Sequence, residues 1–221
     1  MEVVYRGTVE LVDHMGSDLS VVNAARVSFN KRSDKLSEKD QKLIDYLAKH
    51  KHWTPFGHAF ASFRIDAPVF VARQLAKHQV GLTWNEVSRR YVAYEPEVWA
   101  ADRWRKAALN KKQGSSDESI PSNNIAAFTY TDACRHAVDA YASLIQMGVC
   151  PEQARAVLPQ GMMTQWVWSG SLFAFARICS LRLKPDTQQE TRSVAVEIDY
   201  HCNRLFPYSW KALRDSEHSD T

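Results

Sequence analysis

The chain has 221 residues, 45% of them hydrophobic and 24% charged, which is the balance of an ordinary globular protein. Its formal net charge of +3 is too small to indicate nucleic-acid binding by itself, although a local excess of cations can still attract an anionic substrate. The sequence shows neither an N-terminal signal pattern nor a long apolar run, so we expect a cytoplasmic protein with no membrane partner.

The residue patterns predict a mixture of strands and helices, and a chain of this length most naturally forms one domain. Strands are predicted over residues 2–12, 59–65 and 161–168, with an extended segment over 86–94. Helices are predicted over residues 18–28, 37–49, 66–78, 126–147, 151–158, 171–183 and 187–205, followed by a short helix from residue 207. The polar stretch over 110–124 predicts a mobile loop, and the whole pattern indicates an α/β (α+β) fold over residues 1–221.

Three of the helix starts depend on particular residues. Asp18 or Ser20 is expected to cap the first helix, and Ser37 is expected to cap the second. Asp66 and Pro68 predict the start of the third helix, because aspartate can cap a helix and proline is tolerated in its first turn.

The cysteine pattern argues against a disulfide framework and against a metal site. The four cysteines form no Cys-x-x-Cys pair, and each has apolar or helical surroundings. We therefore expect buried free thiols at Cys134, Cys150, Cys179 and Cys202.

The segment from Arg73 to Tyr91, which reads RQLAKHQVGLTWNEVSRRY, concentrates cations and hydrogen-bonding groups between apolar stretches. Arginine presents a planar fork of donors that matches phosphate oxygens, so the segment indicates a site for a phosphorylated polar small molecule. A solvated basic loop is the alternative. The groups concerned are Arg73, Lys77, Arg89 and Arg90, with His78, Asn85, Glu86 and Ser88 among them.

This segment resembles the signature of the flavin-dependent thymidylate synthases, in which Arg-Gln leads into Arg-His-Arg and then Asn-Glu-x-Ser-x-Arg-Tyr. The resemblance continues along nearly the whole chain, at Ala25-Arg26-Val27-Ser28, His52-Trp53-Thr54-Pro55-Phe56-Gly57-His58, Ala154-Arg155-Ala156-Val157-Leu158-Pro159, Ser169-Gly170-Ser171-Leu172, Leu181-Arg182 and Gln188-Gln189-Glu190. The chain departs from the family pattern at Gly57 (usually Glu), Lys77 and Gln79 (usually Arg), Phe173 (usually Arg) and Asp186 (usually His).

The resemblance implies a central mixed or antiparallel sheet flanked by helices, and a methyltransferase that converts dUMP to dTMP. In that family methylene-tetrahydrofolate supplies the carbon, reduced FAD supplies the hydride, and NADPH usually reduces the flavin. The family also implies a homotetramer whose active sites are shared between subunits.

The resemblance also implies a set of site residues. Arg182 is the expected catalytic residue, because a cation near the uracil ring favours its ionised form and a more nucleophilic C5. The expected dUMP ligands are Gln74, Lys77, Glu86, Val87, Ser88, Arg89, Arg90, Arg155 and Arg182, with Ser88, Arg90 and Arg155 on the phosphate and Gln74 on the uracil edge. The expected FAD ligands are Ser28, Thr54, Lys77, His78, Gln79, Glu86, Ser171 and Arg177, where Arg177 lies one helical turn from Phe173.

Two other functions stay open at the level of sequence. The altered Lys-His-Gln segment is compatible with a deoxyuridylate hydroxymethylase on the same fold, which passes the carbon but does not reduce it. The basic cluster near Trp84 and Tyr91 is compatible with a protein that binds nucleotides or nucleic acid without turnover. The enzyme is the better interpretation because Asn85, Glu86, Arg155 and Arg182 occur together, and it predicts no nucleic-acid partner.

Overall fold

A computed structural model describes residues 1–108 and 115–218 of the protein. The strands in chain order are β1 (Val3–Val4), β2 (Thr8–Met15), β3 (Phe60–Pro68), β4 (Leu82–Glu86), β5 (Val98–Trp99), β6 (Arg105–Ala107), β7 (Ser115–Ser119) and β8 (Met163–Ser171). The α-helices are α1 (Asp18–Arg26), α2 (Glu38–Lys49), α3 (Val69–Leu75), α4 (Asn123–Gln146), α5 (Pro151–Ala154), α6 (Leu172–Arg182), α7 (Gln189–Leu205) and α8 (Pro207–His218). Short 3-10 helices cover Val27–Phe29, Thr54–His58 and Arg155–Val157.

The main sheet has four antiparallel strands in the order β2-β3-β8-β4. Side chains on β3 alternate between buried and accessible positions, as expected for a strand with one covered face, with Phe63 and Ile65 buried and Arg64 exposed. Strands β1 and β5 form a small parallel pair, and β6 and β7 form an antiparallel pair. The α+β fold with a sheet flanked by helices is confirmed.

The core lies between the main sheet and the helices that follow β8. Phe63 of β3 is opposite Trp168 of β8, and both rings meet Phe175 of α6 edge-on, with ring centroids 5.1 and 5.5 Å from it. Trp84 of β4 stacks on Trp166 of β8 at 4.5 Å. This aromatic packing holds β4, and with it the signature segment, against the centre of the sheet.

Two helices begin as the sequence predicts. Ser37 caps α2 in a capping box with Asp40, whose carboxylate accepts hydrogen bonds from the Ser37 N–H and hydroxyl. The Ser171 hydroxyl caps α6 by accepting a hydrogen bond from the Ala174 N–H at 3.2 Å. Because α6 starts at a fixed point and ends just before Lys184-Pro185, Arg182 becomes its last residue.

The predicted cap of α1 was wrong. Its N-cap is Ser17, and the Ser20 hydroxyl accepts from the Ser17 N–H, so Ser20 occupies the third helical position. The buried Asp18 carboxylate instead accepts from the N–H groups of Tyr208 and Ser209, at the start of α8. Asp18 therefore caps a helix far away in the sequence, which local patterns do not reveal.

The predicted start of the third helix was also wrong. Asp66 and Pro68 belong to the end of β3, where Asp66 is in register with Gln165 and accepts hydrogen bonds from its amide at 3.1 Å. The helix begins only at Val69 and ends at Leu75, short of His78. Pairing with a distant strand outweighed the local helix-start signal.

Other boundaries differ from the predictions. The first predicted strand is divided into β1 and β2 around Gly7, where an added Cβ would stand 2.4 Å from the Asp66 carbonyl oxygen. The extended segment predicted over 86–94 lies earlier, at β4, because Gly81 with φ of 77° makes the turn that leads into that strand.

The predicted loop over 110–124 and the predicted thiols need smaller corrections. Within that loop, residues 109–114 lie outside the described part of the chain, while Ser115–Ser119 form β7. The cysteines are free as expected, but Cys150 is exposed because it occupies the N-cap position of the short α5. In the described part of the chain, no helix combines the length and the apolar character needed to span a bilayer.

Candidate active site

A cavity of about 640 Å³ lies where α3, the link between α6 and α7, and the β6–β7 pair meet. Its walls carry three cations and one carboxylate, which suits an anionic polar ligand. We call it the α6–α7 cavity; its lining residues are Gln74, Arg105, Ser115, Leu181, Arg182, Lys184, Asp186, Thr187 and Gln188.

Gln74 lines this cavity and has a buried side-chain oxygen without a partner in the part of the chain that the structure describes. Its Nε2 donates to Gln188 Oε1 at 3.5 Å, whereas its Oε1 is buried without a hydrogen-bond partner in the described residues. A buried acceptor without a partner costs about 1–3 kcal/mol, so a ligand that donates an N–H to it gains by that amount. An acceptor in this state suits a donor on a ligand bound at the cavity.

Arg182 is fixed at the cavity by His78, which lies in the turn after α3. Arg182 Nε donates to His78 Nε2 at 3.0 Å, which requires a neutral imidazole with Nε2 as the acceptor. Burial lowers the pKa of His78, and the nearby charges of Arg182 and Arg177 lower it further. Burial also lowers the pKa of Arg182, yet a guanidinium remains charged at neutral pH.

The signature residues after β4 have separate roles in the structure. Glu86 accepts from Trp84 Nε1 at 3.2 Å and from Thr164 Oγ1 at 2.7 Å, so both of its carboxylate oxygens are engaged along the sheet. Arg89 is 7% exposed, donates to the Tyr94 carbonyl and lies 4.3 Å from the centre of the Tyr94 ring. The guanidinium of Arg89 is therefore engaged within the chain, by the Tyr94 carbonyl and ring.

The expected phosphate ligands do not line the α6–α7 cavity. Arg90 is exposed and contacts the hydroxyl and ring of Tyr91, while the Ser88 hydroxyl accepts from the Arg90 N–H at 3.3 Å. Arg155 is exposed in the 3-10 helix after α5. Val87 donates its N–H to the Gln165 carbonyl and lines a different cavity of about 430 Å³ with Arg89. Within one chain, Gln74 and Arg182 therefore line the same cavity, whereas the expected phosphate ligands lie outside it.

Several of the expected flavin ligands are exposed, and two of them flank His78 in the turn after α3. Ser28 and Thr54 are exposed in 3-10 helices, and Lys77 and Gln79 are exposed in the turn after α3. Ser171 lies beside that turn, because its N–H donates to the Gly81 carbonyl at 3.2 Å. Lys77, Gln79 and Ser171 thus bring a cation, an amide and a hydroxyl to the turn after α3, which fits an anionic cofactor that accepts hydrogen bonds.

Position 173 does not add a cation to this set. The Phe173 ring lies 6.0 Å from the Trp53 ring, and both line a cavity of about 290 Å³ together with Arg177. At Gly57, an added Cβ would have one neighbour within 4 Å, the Trp53 ring at 3.9 Å. The chain therefore has a glycine at position 57 and a Phe173–Trp53 contact at position 173, and Arg177 lines the same cavity as that aromatic pair.

Arg105 and Lys184 line the cavity, although the sequence patterns did not identify them. Arg105 pairs with Glu190, which belongs to the Gln-x-Glu match and therefore could have indicated that a buried cation exists. The Gln-x-Glu match alone does not identify Arg105 as the cation that pairs with Glu190. Among the described residues, no group of three His, Cys, Asp or Glu side chains is arranged to hold a metal ion.

Comparisons with known proteins find similar sequences over most of the chain. The family model described as "Thymidylate synthase complementing protein" matches residues 10–208. A flavin-dependent thymidylate synthase of Thermus thermophilus is 35% identical over 213 residues, which cover 96% of this chain and 77% of the relative. The enzyme of the same name from Thermosipho africanus is 35% identical over 215 residues, covering 96% of this chain and 92% of the relative.

Solved structures show the same fold. A crystal structure of the UMP/dUMP methylase PolB of Streptomyces cacaoi, bound with 5-Br dUMP, superposes with a TM-score of 0.88 at 29% identity, covering 97% of each chain. A second structure of that protein, bound with 5-Br UMP, gives a TM-score of 0.87 at 28% identity, covering 98% of this chain and 97% of the other.

The antiparallel sheet, the cation-lined cavity and these matches define the protein as an enzyme of the methyltransferase class. The chain belongs to the flavin-dependent thymidylate synthase family, which confirms the family indicated by the segment from Arg73 to Tyr91.

Proposed function

We propose that this protein methylates dUMP at C5 to give dTMP, with methylene-tetrahydrofolate as carbon donor, FAD as cofactor and NADPH as reductant. The observation that carries the proposal is that Gln74, with its buried oxygen that is unpartnered among the described residues, and the cation Arg182 line the same α6–α7 cavity. Family membership and the printed substrate of the Streptomyces enzyme support this choice of nucleotide.

Gln74 and Arg182 fit the two kinds of polar group on a uracil ring. The ring has one N–H donor, at N3, between two carbonyl acceptors. The free Gln74 Oε1 suits the donor, and the Arg182 guanidinium suits a carbonyl. A cytosine ring would place an acceptor where uracil has its N3–H, so this pair favours uracil.

The same arrangement suits attack by C5. A cation at a uracil carbonyl stabilises negative charge on the ring, which increases the electron density at C5. The neutral His78 holds Arg182 through its Nε without neutralising its charge. The new methyl group combines the methylene carbon with a hydride, and the hydrogen at C5 leaves as a proton.

The cofactor candidates fit FAD in their chemistry. When bound, FAD would supply the hydride. The exposed Lys77, Gln79 and Thr54 can bind its phosphate or sugar oxygens, and Arg177 can replace the charge absent at Phe173. Lys77 keeps a positive charge but lacks the planar fork of arginine, so we expect looser flavin binding than in the family.

The Streptomyces structures support a second substrate. They are described as those of a UMP/dUMP methylase and were solved with both a deoxyribonucleotide and a ribonucleotide. We therefore include methylation of UMP as a second candidate activity. The hydroxymethylase remains the alternative for dUMP, since Lys77 and Gln79 differ from the family pattern.

The test is to incubate the protein with dUMP, methylene-tetrahydrofolate, FAD and NADPH, and to identify the nucleotide product by mass. We expect dTMP, heavier than dUMP by one methylene unit, and no product when either the folate or the FAD is omitted. A hydroxymethyl product would replace the proposal with the alternative. Unchanged dUMP that still binds the protein would indicate a binding role. UMP in place of dUMP tests the second candidate in the same assay.

A further inference from the structure

Arg105 on β6, outside the segment from Arg73 to Tyr91, has polar partners on three different residues. Its side chain is 16% exposed and uses all three guanidinium nitrogens. Nη2 donates to both carboxylate oxygens of Glu190 at 2.9 and 3.2 Å, Nη1 donates to Gln189 Oε1 at 2.6 Å, and Nε donates to Ser115 Oγ at 2.7 Å. Arg105 therefore ties the β6–β7 pair to the start of α7.

The start of α7 leads directly to Gln74. Gln188 is the N-cap residue of α7 and precedes the two residues that Arg105 contacts. Its side-chain oxygen accepts from Gln74 Nε2, which is the contact that leaves Gln74 Oε1 free. Glu190 lies in the first turn of α7, where the helix dipole adds to the stability of a carboxylate. A series of contacts therefore connects Arg105 to the first turn of α7, and the N-cap residue of α7, Gln188, to Gln74.

We propose that Arg105 is a positioning residue that selects a nucleotide base with an N–H donor at its edge, by holding Gln188 so that Gln74 presents its amide oxygen to the cavity. The proposal rests on the nucleotide site proposed above. Without Arg105, the first turn of α7 loses its buried partner and Gln188 is free to turn. Gln74 can then present either end of its amide, and the distinction between uracil and cytosine is lost.

A role in folding alone makes a different prediction. If Arg105 merely stabilises the β6–β7 pair, its removal weakens the binding of every nucleotide by the same factor, or lowers stability without changing selectivity. The ratio of the dissociation constants for dCMP and dUMP separates the two cases, because a purely structural effect cancels in that ratio.

The experiment measures the Kd of dUMP and of dCMP by titration calorimetry for the full-length wild type and four variants. Arg105→Ala should weaken dUMP binding about tenfold and bring the ratio of the two Kd values close to one, since a lost hydrogen bond at a base edge is worth about a factor of ten. Gln188→Ala should reduce the ratio in the same way while leaving the ion pair intact. Arg105→Lys keeps the charge but lacks the planar fork of donors, so its Kd ratio should lie between those of the wild type and Arg105→Ala.

Lys106→Ala is the matched control. Lys106 is the next residue on β6 and pairs with Glu118 of β7 at 2.7 Å, but its side chain is 44% exposed and lines no part of the α6–α7 cavity. Its replacement should leave both Kd values unchanged. If Arg105→Ala does not fold, Gln188→Ala and Arg105→Lys decide the question.

Two results would overturn the proposal, and they differ from a failure of the proposed function. An unchanged ratio in Arg105→Ala, whether or not dUMP binds more weakly, would make Arg105 a structural clamp. An unchanged ratio in Gln188→Ala would show that Gln188 does not orient the Gln74 amide toward the base. Wild-type protein that binds neither nucleotide would instead overturn the nucleotide site itself, and this inference with it.

Discussion

At the wall of the α6–α7 cavity, the contact between Arg182 and His78 sets the local charge. His78 accepts from Arg182 as a neutral ring, because burial and the adjacent cations keep the pKa of the imidazole below its ordinary value. The cation of Arg182 is therefore held in place without being cancelled by this partner. Such a fixed charge in a cavity stabilises a negative charge that develops on a bound ring.

Replacing Arg182 tests this role. Arg182→Ala should lower kcat for dTMP formation by about 100-fold or more, the usual cost of removing a group that stabilises transition-state charge. The Kd of dUMP should change much less, and Arg182→Lys should recover part of the rate. Steady-state kinetics with dUMP checks the prediction; near-normal turnover in the alanine variant would refute it.

The lowered pKa of His78 makes the stability of the folded protein decrease as the pH falls. Its pKa in the folded protein is lower than its ordinary value of 6.5, so on acidification the unfolded chain takes up a proton first. The contribution of His78 to stability is therefore complete above about pH 6.5 and is lost as the pH falls through the lower, folded-state pKa. Urea unfolding across this range should show a steeper loss of stability in the wild type than in His78→Gln. Equal slopes would mean that His78 does not titrate as described.

Arg105 shows why part of the site escapes sequence interpretation. Gln74 and Arg182 could be identified because each belongs to a recognisable motif. Arg105 lies on the short strand β6, which the sequence patterns did not predict, and its partner Glu190 is 85 positions away. Only the fold brings these two residues together, so no local pattern marks Arg105 as buried.

At the scale of elements, local signals predicted well where the partners are close in sequence. Ser37 caps α2 as predicted, because the capping box joins it to Asp40 only three positions away, and the Ser171 cap of α6 acts over the same distance although it was not predicted. The same signal at Asp66 was wrong, since that carboxylate belongs to a strand and accepts from Gln165. Asp18 likewise caps α8 and not its own helix. The wrong helix-start predictions concern residues whose hydrogen-bond partners are far away in the sequence.

Helix α2 offers a test of element stability. The Asp40 side chain is 1% exposed, accepts from Ser37 and forms an ion pair with Arg26, which joins α2 to the end of α1. Asp40→Ala should lower the free energy of unfolding by about 2–4 kcal/mol, because it leaves a partly buried cation unpaired and removes the capping box. Asp45→Ala, at an exposed position of the same helix, should change it by less than about 0.5 kcal/mol. Chemical denaturation measures both, and similar values would contradict the assignment.

At the scale of the whole molecule, the expected nucleotide ligands fall into two groups. Gln74 and Arg182 line the α6–α7 cavity, while Ser88, Arg90 and Arg155 lie elsewhere on the same chain. A phosphate and a base of one nucleotide must nevertheless be bound together. We therefore propose that a second copy of the chain supplies the phosphate ligands, in agreement with the shared sites that the family implies.

Mixing two inactive variants tests shared sites. Arg182→Ala and Arg90→Ala should each lack activity when purified alone, yet co-expressed mixed oligomers should regain about a quarter of the wild-type rate, since each site then draws at random on two kinds of chain. Mixed Arg182→Ala and Arg182→Gln chains provide the control, because both lack the cation at position 182 and no combination of them restores a site. Absence of recovery in the first mixture would place all the ligands of one site on one chain.

The most direct test of the proposed activity is whether the protein can be the source of dTMP in a living cell. The gene is introduced into a bacterial strain that lacks its own thymidylate synthase and therefore requires added thymidine. Growth without thymidine is expected for the wild type and not for Arg182→Ala, with equal amounts of both proteins present. Failure of the wild type to support growth, while a Thermus thermophilus family member succeeds in the same strain, would contradict methylation of dUMP by this protein.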